Sequence, residues 1–140
     1  MPRFYRSMLS DGRLPLIGSE SNMLGVRVPP HHHPDIIPDN SGQVNRGIGG
    51  MSVSPEWRDL RYFLISSRLK HLVPEARGKA SLHCFRFGDG PFVECTINEG
   101  LILKPDSDTH ATVQPANPVF VVEFQRALAD TQDKWQIDEA

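Results

Sequence analysis

The chain has 140 residues, with 15 Lys and Arg against 17 Asp and Glu, giving a formal net charge of −2. That length predicts one domain, residues 1–140, large enough to bury roughly two-thirds of its unfolded surface and fold alone. The near-neutral balance argues against a nucleic-acid partner held by bulk charge, and no apolar run approaches the ~20 residues of a membrane span. The start, Met1 to Arg6, lacks the apolar stretch of a secretory signal, so the sequence reads as a soluble, cytoplasmic chain with no membrane contact.

Two cysteines, Cys84 and Cys95, are too few for a disulfide framework. Twelve Pro and 11 Gly concentrate between Ser10 and Pro55, which predicts loops and short strands in that half rather than long helices.

In chain order, Arg3–Leu9 reads as a strand favoured by Phe4 and Tyr5, and Asp11-Gly12 as a turn. Leu24–Val28 reads as a second short strand. The run Pro29-Pro30-His31-His32-His33-Pro34-Asp35 cannot be helical, because each Pro removes a donor and restricts its predecessor. About twenty residues without regular structure, ending at Gly47-Ile48-Gly49-Gly50, mark a functional or a disordered loop. A strand follows at Met51-Ser52-Val53-Ser54. Pro55 then starts a shorter helix carrying Trp57, Leu60, Phe63 and Leu64, closed by Pro74 and Gly78.

Leu82–Phe87 and Phe92–Ile97 flank Gly88-Asp89-Gly90-Pro91 and read as a β-hairpin with a four-residue loop. Both of its faces are largely apolar, which places it inside a sheet. Leu101–Leu103 and Thr109–Val113 are two further strands. Asn117-Pro118 caps a last helix, Val119–Trp135, with Val121, Phe124, Leu128 and Trp135 as its apolar stripe. Gln136–Ala140 reads as a frayed tail. The sum is an α+β chain of many short strands with a C-terminal helix.

Five constellations bear on chemistry. The three consecutive histidines point in alternating directions, so at most two meet one ion, and a polar Pro-flanked loop is preferred over a metal site. Cys84 and Cys95 face each other across the expected hairpin; two reduced apolar neighbours are favoured over a cross-strand bond. Gly47-Ile48-Gly49-Gly50 lets backbone N–H groups approach a phosphate but lacks the Lys-Ser/Thr of a P-loop. Arg6 lies within an apolar, aromatic strand and needs an anionic partner, either a carboxylate of the fold or a bound diphosphate. His110, Thr112 and Gln114 share one face of a strand, which points to water or a cleft.

Taken in order, Tyr5-Arg6, Pro34-Asp35-Ile36, Gly49-Gly50-Met51-Ser52-Val53, Thr109-His110-Ala111-Thr112, Pro115-Ala116 and the helix to Trp135 resemble the small type VI secretion toxins with an ADP-ribosyltransferase-like fold. The resemblance implies two small antiparallel sheets forming a cleft that takes NAD as co-substrate. It implies catalytic roles for Arg6, Ser52, His110 and Gln114, and NAD binding by Tyr5, Arg6, Gly49, Gly50, Met51 and Ser52. Arg6 would grip a diphosphate oxygen or ribose hydroxyl, and Ser52 would orient the nicotinamide ribose. A cognate immunity protein would cover the cleft of a toxin delivered into a target-cell cytoplasm. The strand Thr109–Val113 lacks the Glu that the wider fold uses at this place to stabilise charge as nicotinamide leaves. Glu94 and Glu99 are the nearest acids in sequence, and His110 is the candidate replacement. Two alternatives remain open: an inactive interaction protein of the same fold, and an RNA 2′-phosphotransferase-like NAD enzyme.

Overall fold

The computed structural model describes residues 1–139. Ten strands and one α-helix occur in the order β1 (Phe4–Asp11), β2 (Leu14–Pro15), β3 (Gln43–Val44), β4 (Met51–Val53), β5 (Leu82–Phe87), β6 (Cys95–Asn98), β7 (Leu101–Ser107), β8 (His110–Pro115), β9 (Val119–Phe120), α1 (Val121–Ala129) and β10 (Trp135–Ile137). One sheet has the strand order β10-β5-β1-β2 and a second β4-β8-β7-β6, with β3 and β9 forming a separate pair. All these pairings are antiparallel. The fold is thus mixed, mostly antiparallel, with a curled half-barrel sheet and a C-terminal helix.

The two larger sheets touch where β1 meets the end of β4. Tyr5 N–H donates to the Ser54 carbonyl (2.6 Å) and Ser54 N–H returns to the Tyr5 carbonyl (3.0 Å). Strand alternation sorts β1 between two apolar clusters. Phe4 and Met8 join Phe87, Met51, Val113 and Phe124 in the larger one, whereas Tyr5 joins Trp57, Leu60, Ile65 and Cys84 in the smaller. Arg6 has the parity of Phe4 and Met8, so it enters the structure from the face that carries the main core.

The hairpin expected over Leu82–Ile97 does not form. Both edges of β5 are already taken, by β1 from Phe4 to Leu9 and by β10 from Trp135 to Ile137. The intervening loop is drawn to the N-terminus instead: Gly90 N–H donates to the Met1 carbonyl (2.8 Å) and Arg3 N–H to the Gly90 carbonyl (2.9 Å). β6 pairs with β7 in the other sheet. Cys84 and Cys95 therefore lie in different sheets, both as free thiols.

The C-terminal helix is also shorter than its apolar stripe suggested. It runs Val121–Ala129, and its opening is held by Glu123, whose Oε1 accepts the Phe120 N–H (3.0 Å). Thr131 closes the region: its hydroxyl donates to the Leu128 carbonyl (2.7 Å) and accepts the Trp135 indole N–H (3.0 Å). Trp135 then sits in a strand and packs edge-on against Phe4 and Phe87. The tail continues this clamp. Glu139 accepts from Arg68 and lies 3.0 Å from His83 Nδ1, and Asp138 accepts from Tyr5 and Arg86.

Pro55 starts no α-helix. Three single 3₁₀ turns, Trp57–Asp59, Tyr62–Leu64 and Ser67–Leu69, carry the chain across the smaller cluster. The stretch from Leu24 to Gly50 contributes only β3 and the isolated bridges Ile17–Leu24 and Ile36–Gly49 to the pairing, in line with its Pro and Gly content. No helix among the described residues is long and apolar enough to cross a membrane.

Candidate functional site

A cavity of about 550 Å³ opens between the strand ends of the two sheets, within the size range of small-molecule sites. β1 brings Arg6 and Ser7 to it, β4 brings Ser52 and Val53, and β8 brings His110. Arg27, Asp35 and Arg61 come from loops, and Asp59 from the end of the turn Trp57–Asp59. Three of the expected catalytic residues, Arg6, Ser52 and His110, thus share one cavity although 104 positions separate the first from the last.

Arg6 is 6% exposed. Its Nε donates to the Met23 carbonyl (3.1 Å), Nη1 to Ser52 (2.8 Å), and Nη2 to Ser21 (3.0 Å) and Met23 (3.1 Å). Every acceptor is a neutral carbonyl, and among the described residues no carboxylate forms an ion pair with it. Burial lowers its pKa to about 10, and Asp35 opposes that shift while Arg27 adds to it. The guanidinium still carries its full charge at neutral pH. The charge of Asp35 is engaged by Arg27 in a bidentate pair (Nη2–Oδ1 2.8 Å, Nε–Oδ2 3.1 Å). A buried cation bonded only to neutral carbonyls, beside an Asp35 already engaged by Arg27, leaves the cavity wall attractive to an anion.

Ser52 presents its side chain outward from β4, between buried Met51 and Val53, while its carbonyl anchors Arg6. His110 is held by Asp106, whose two carboxylate oxygens lie 2.8 and 2.9 Å from Nδ1. Donation of Nδ1–H to that carboxylate fixes the tautomer that leaves Nε2 free to accept.

The remaining expected residues lie elsewhere. Gln114 is buried and committed: its Oε1 accepts the Gly47 N–H (2.8 Å) and its Nε2 donates to Thr112 (2.8 Å). Alternation along β8 put it on the face of His110, but the Gly47 turn folds over that end of the strand and fills it. Gly49, Gly50 and Met51 do not line the cavity. Gly49 has φ +83° and backs onto the Asp35 carbonyl, and Gly50 lies against the Val113 carbonyl, so both serve close backbone contact. Tyr5 is buried, with its hydroxyl on Asp138 (3.1 Å). Glu94 pairs with Lys104 and Arg46, and neither it nor Glu99 reaches the cavity.

Asp59, Arg61 and the Arg27–Asp35 pair are cavity residues whose role residue spacing did not reveal. Asp35 appeared only within a motif, and nothing in periodicity couples it to Arg27 eight positions earlier. The histidine run holds no metal cluster: His31 Nε2 is 3.5 Å from Glu20, and His31 Nδ1 accepts the His33 N–H. No group of three or more His, Cys, Asp or Glu among the described residues is arranged to hold a metal ion.

No protein-family model matches the chain, and no curated protein matches it at a significant level.

Proposed function

We propose that the chain is an NAD-dependent toxin with an ADP-ribosyltransferase-like fold, acting in a bacterial cytoplasm and neutralised by an immunity protein that covers the cavity. The observation that carries this reading is the convergence of Arg6, Ser52 and His110 on one cavity, with Arg6 bonded to no carboxylate among the described residues. NAD bound there would supply an ADP-ribosyl group, with nicotinamide as the leaving group. Arg6 and the wall it electrifies would hold the diphosphate. The Ser52 hydroxyl would orient a ribose hydroxyl. His110, aligned by Asp106, would accept a hydrogen bond or a proton through Nε2. Asp59 is an exposed carboxylate at the cavity and is the candidate for the charge-stabilising role of the absent Glu.

The inactive interaction protein remains the second reading, favoured by the filled end of β8, where Gln114 packs against Gly47. Inducible expression in a bacterial host separates the two. Wild type should halt growth, and Ser52→Ala and His110→Ala should relieve the arrest while remaining soluble and folded. An Arg6→Ala protein is a poor probe, because its loss leaves several buried carbonyls unpaired. Full growth with soluble wild type would remove the toxin reading and leave the interaction protein.

A further inference from the structure

Beside the main cavity lies a shallower depression of about 540 Å³, which shares Asp59, Leu60, Arg61 and Phe63 with it. Two aromatic rings stand half exposed there, Tyr62 at 45% and Phe63 at 49%. Three arginines surround them: Arg58, Arg61 and Arg77. Among the described residues no ion pair engages any of the three, and all are exposed. Asp59 is an opposing charge in the depression, leaving a local excess of two positive charges in a chain whose net charge is −2.

The patch is built rather than incidental in its backbone. The turn Tyr62–Leu64 is clipped to the segment at Arg77 by Arg77 N–H on the Tyr62 carbonyl (3.0 Å) and Gly78 N–H on the Ile65 carbonyl (2.8 Å). A Cβ at Gly78 would press on the carbonyls of Phe63 and Ile65, so this approach requires glycine. Arg58 is steadied over the face of buried Trp57, 5.0 Å from its centroid. Leu60, Ile65 and Val73 bury apolar surface beneath, yet Tyr62 and Phe63 stay in solvent.

Exposed rings interleaved with unpaired guanidinium groups are the pairing that single-stranded nucleic acid uses. Bases stack on the rings, and phosphates meet the arginines. An acidic protein surface would satisfy the arginines but give the rings nothing to stack on. We infer that the depression around Tyr62 and Phe63 binds a short single-stranded nucleic acid, leading it to the mouth of the main cavity. Binding there does not depend on the NAD reading; only a role for the strand as acceptor of a transferred group would rest on it.

The test is fluorescence anisotropy of the full chain with a fluorescein-labelled ten-nucleotide oligouridylate, across a salt series. Three phosphate contacts predict log K falling with log salt at a slope of about −2. Arg58→Ala/Arg61→Ala/Arg77→Ala should flatten that slope. Tyr62→Ala and Phe63→Ala should each weaken binding at least about fivefold while leaving the slope unchanged. All five positions are exposed, and circular dichroism melting checks that each variant folds. No binding by wild type overturns the inference. Binding lost in the arginine variant but kept in both ring variants also overturns it, because the rings then stack no base and the phosphates alone are held. Nicotinamide release from NAD is measured separately on the same proteins, so failure of the NAD reading and failure of this one are distinguishable.

Discussion

Arg6 is the residue on which fold and site both depend. Its donors tie β1 to β4 and to the Ser21–Met23 loop. Replacement by Ala strands those carbonyls and should cost about 3 kcal/mol or more in urea unfolding; Arg6→Lys should recover part of it, having fewer donors. The two carboxylates Glu139 and Asp39 set the acid response. Burial works against the charge of Glu139, but hydrogen bonds from Arg68 and His83 outweigh it and hold its pKa below the ordinary 4.5. Ser41, Asn45 and Gln43 hold Asp39 far below its ordinary 3.8. Both are depressed acids, so their stabilisation is complete above those ordinary values and is lost as pH falls through the lower folded ones. The melting temperature should fall between about pH 5 and pH 2, and Glu139→Gln with Asp39→Asn should reduce that fall. Burial pushes the Cys84 thiol up to about 12, so a native thiol titration at pH 8 should report at most Cys95, and two thiols only after unfolding.

Trp135 shows what sequence spacing misses among the elements. Its distance from Val121, Phe124 and Leu128 fits a helical stripe, but the stripe breaks at Thr131, whose hydroxyl takes both the Leu128 carbonyl and the indole N–H. The ring is delivered to Phe4 and Phe87 by a strand. Trp135→Ala should destabilise by about 3–5 kcal/mol, while Thr131→Val should cost less and shift the indole fluorescence. β1 was legible from Phe4 and Tyr5, β7 from the apolar run Leu101–Leu103, and β4 and β8 from their alternation of polar and apolar residues. Partner choice was not: the pull of Gly90 toward Met1, which decides the fate of the expected hairpin, depends on backbone groups that every residue carries. The Gly49-Gly50 pair was legible as a place of close approach but not as to what approaches, which is Asp35 and Val113 rather than the cavity contents. Gly50→Ala should therefore loosen β4 from β8 and lower activity together with stability.

For the whole molecule, the sheets join at the β1–β4 contact so that residues from β1, β4 and β8 meet while the residues between them build the walls. Arg6, Ser52 and His110 could be named from sequence because their order along the chain resembles that of an ADP-ribosyltransferase-like fold. The Arg27–Asp35 pair, Asp59 and the aromatic–arginine depression could not, since loops bring them together without periodicity. Nicotinamide release is the most direct test of the proposed NAD cleavage in this cavity. Purified chain should release nicotinamide from NAD in the presence of bacterial lysate, and Ser52→Ala and His110→Ala should lower the rate about a hundredfold with unchanged melting. No release by wild type above background, or equal release by the variants, would contradict it.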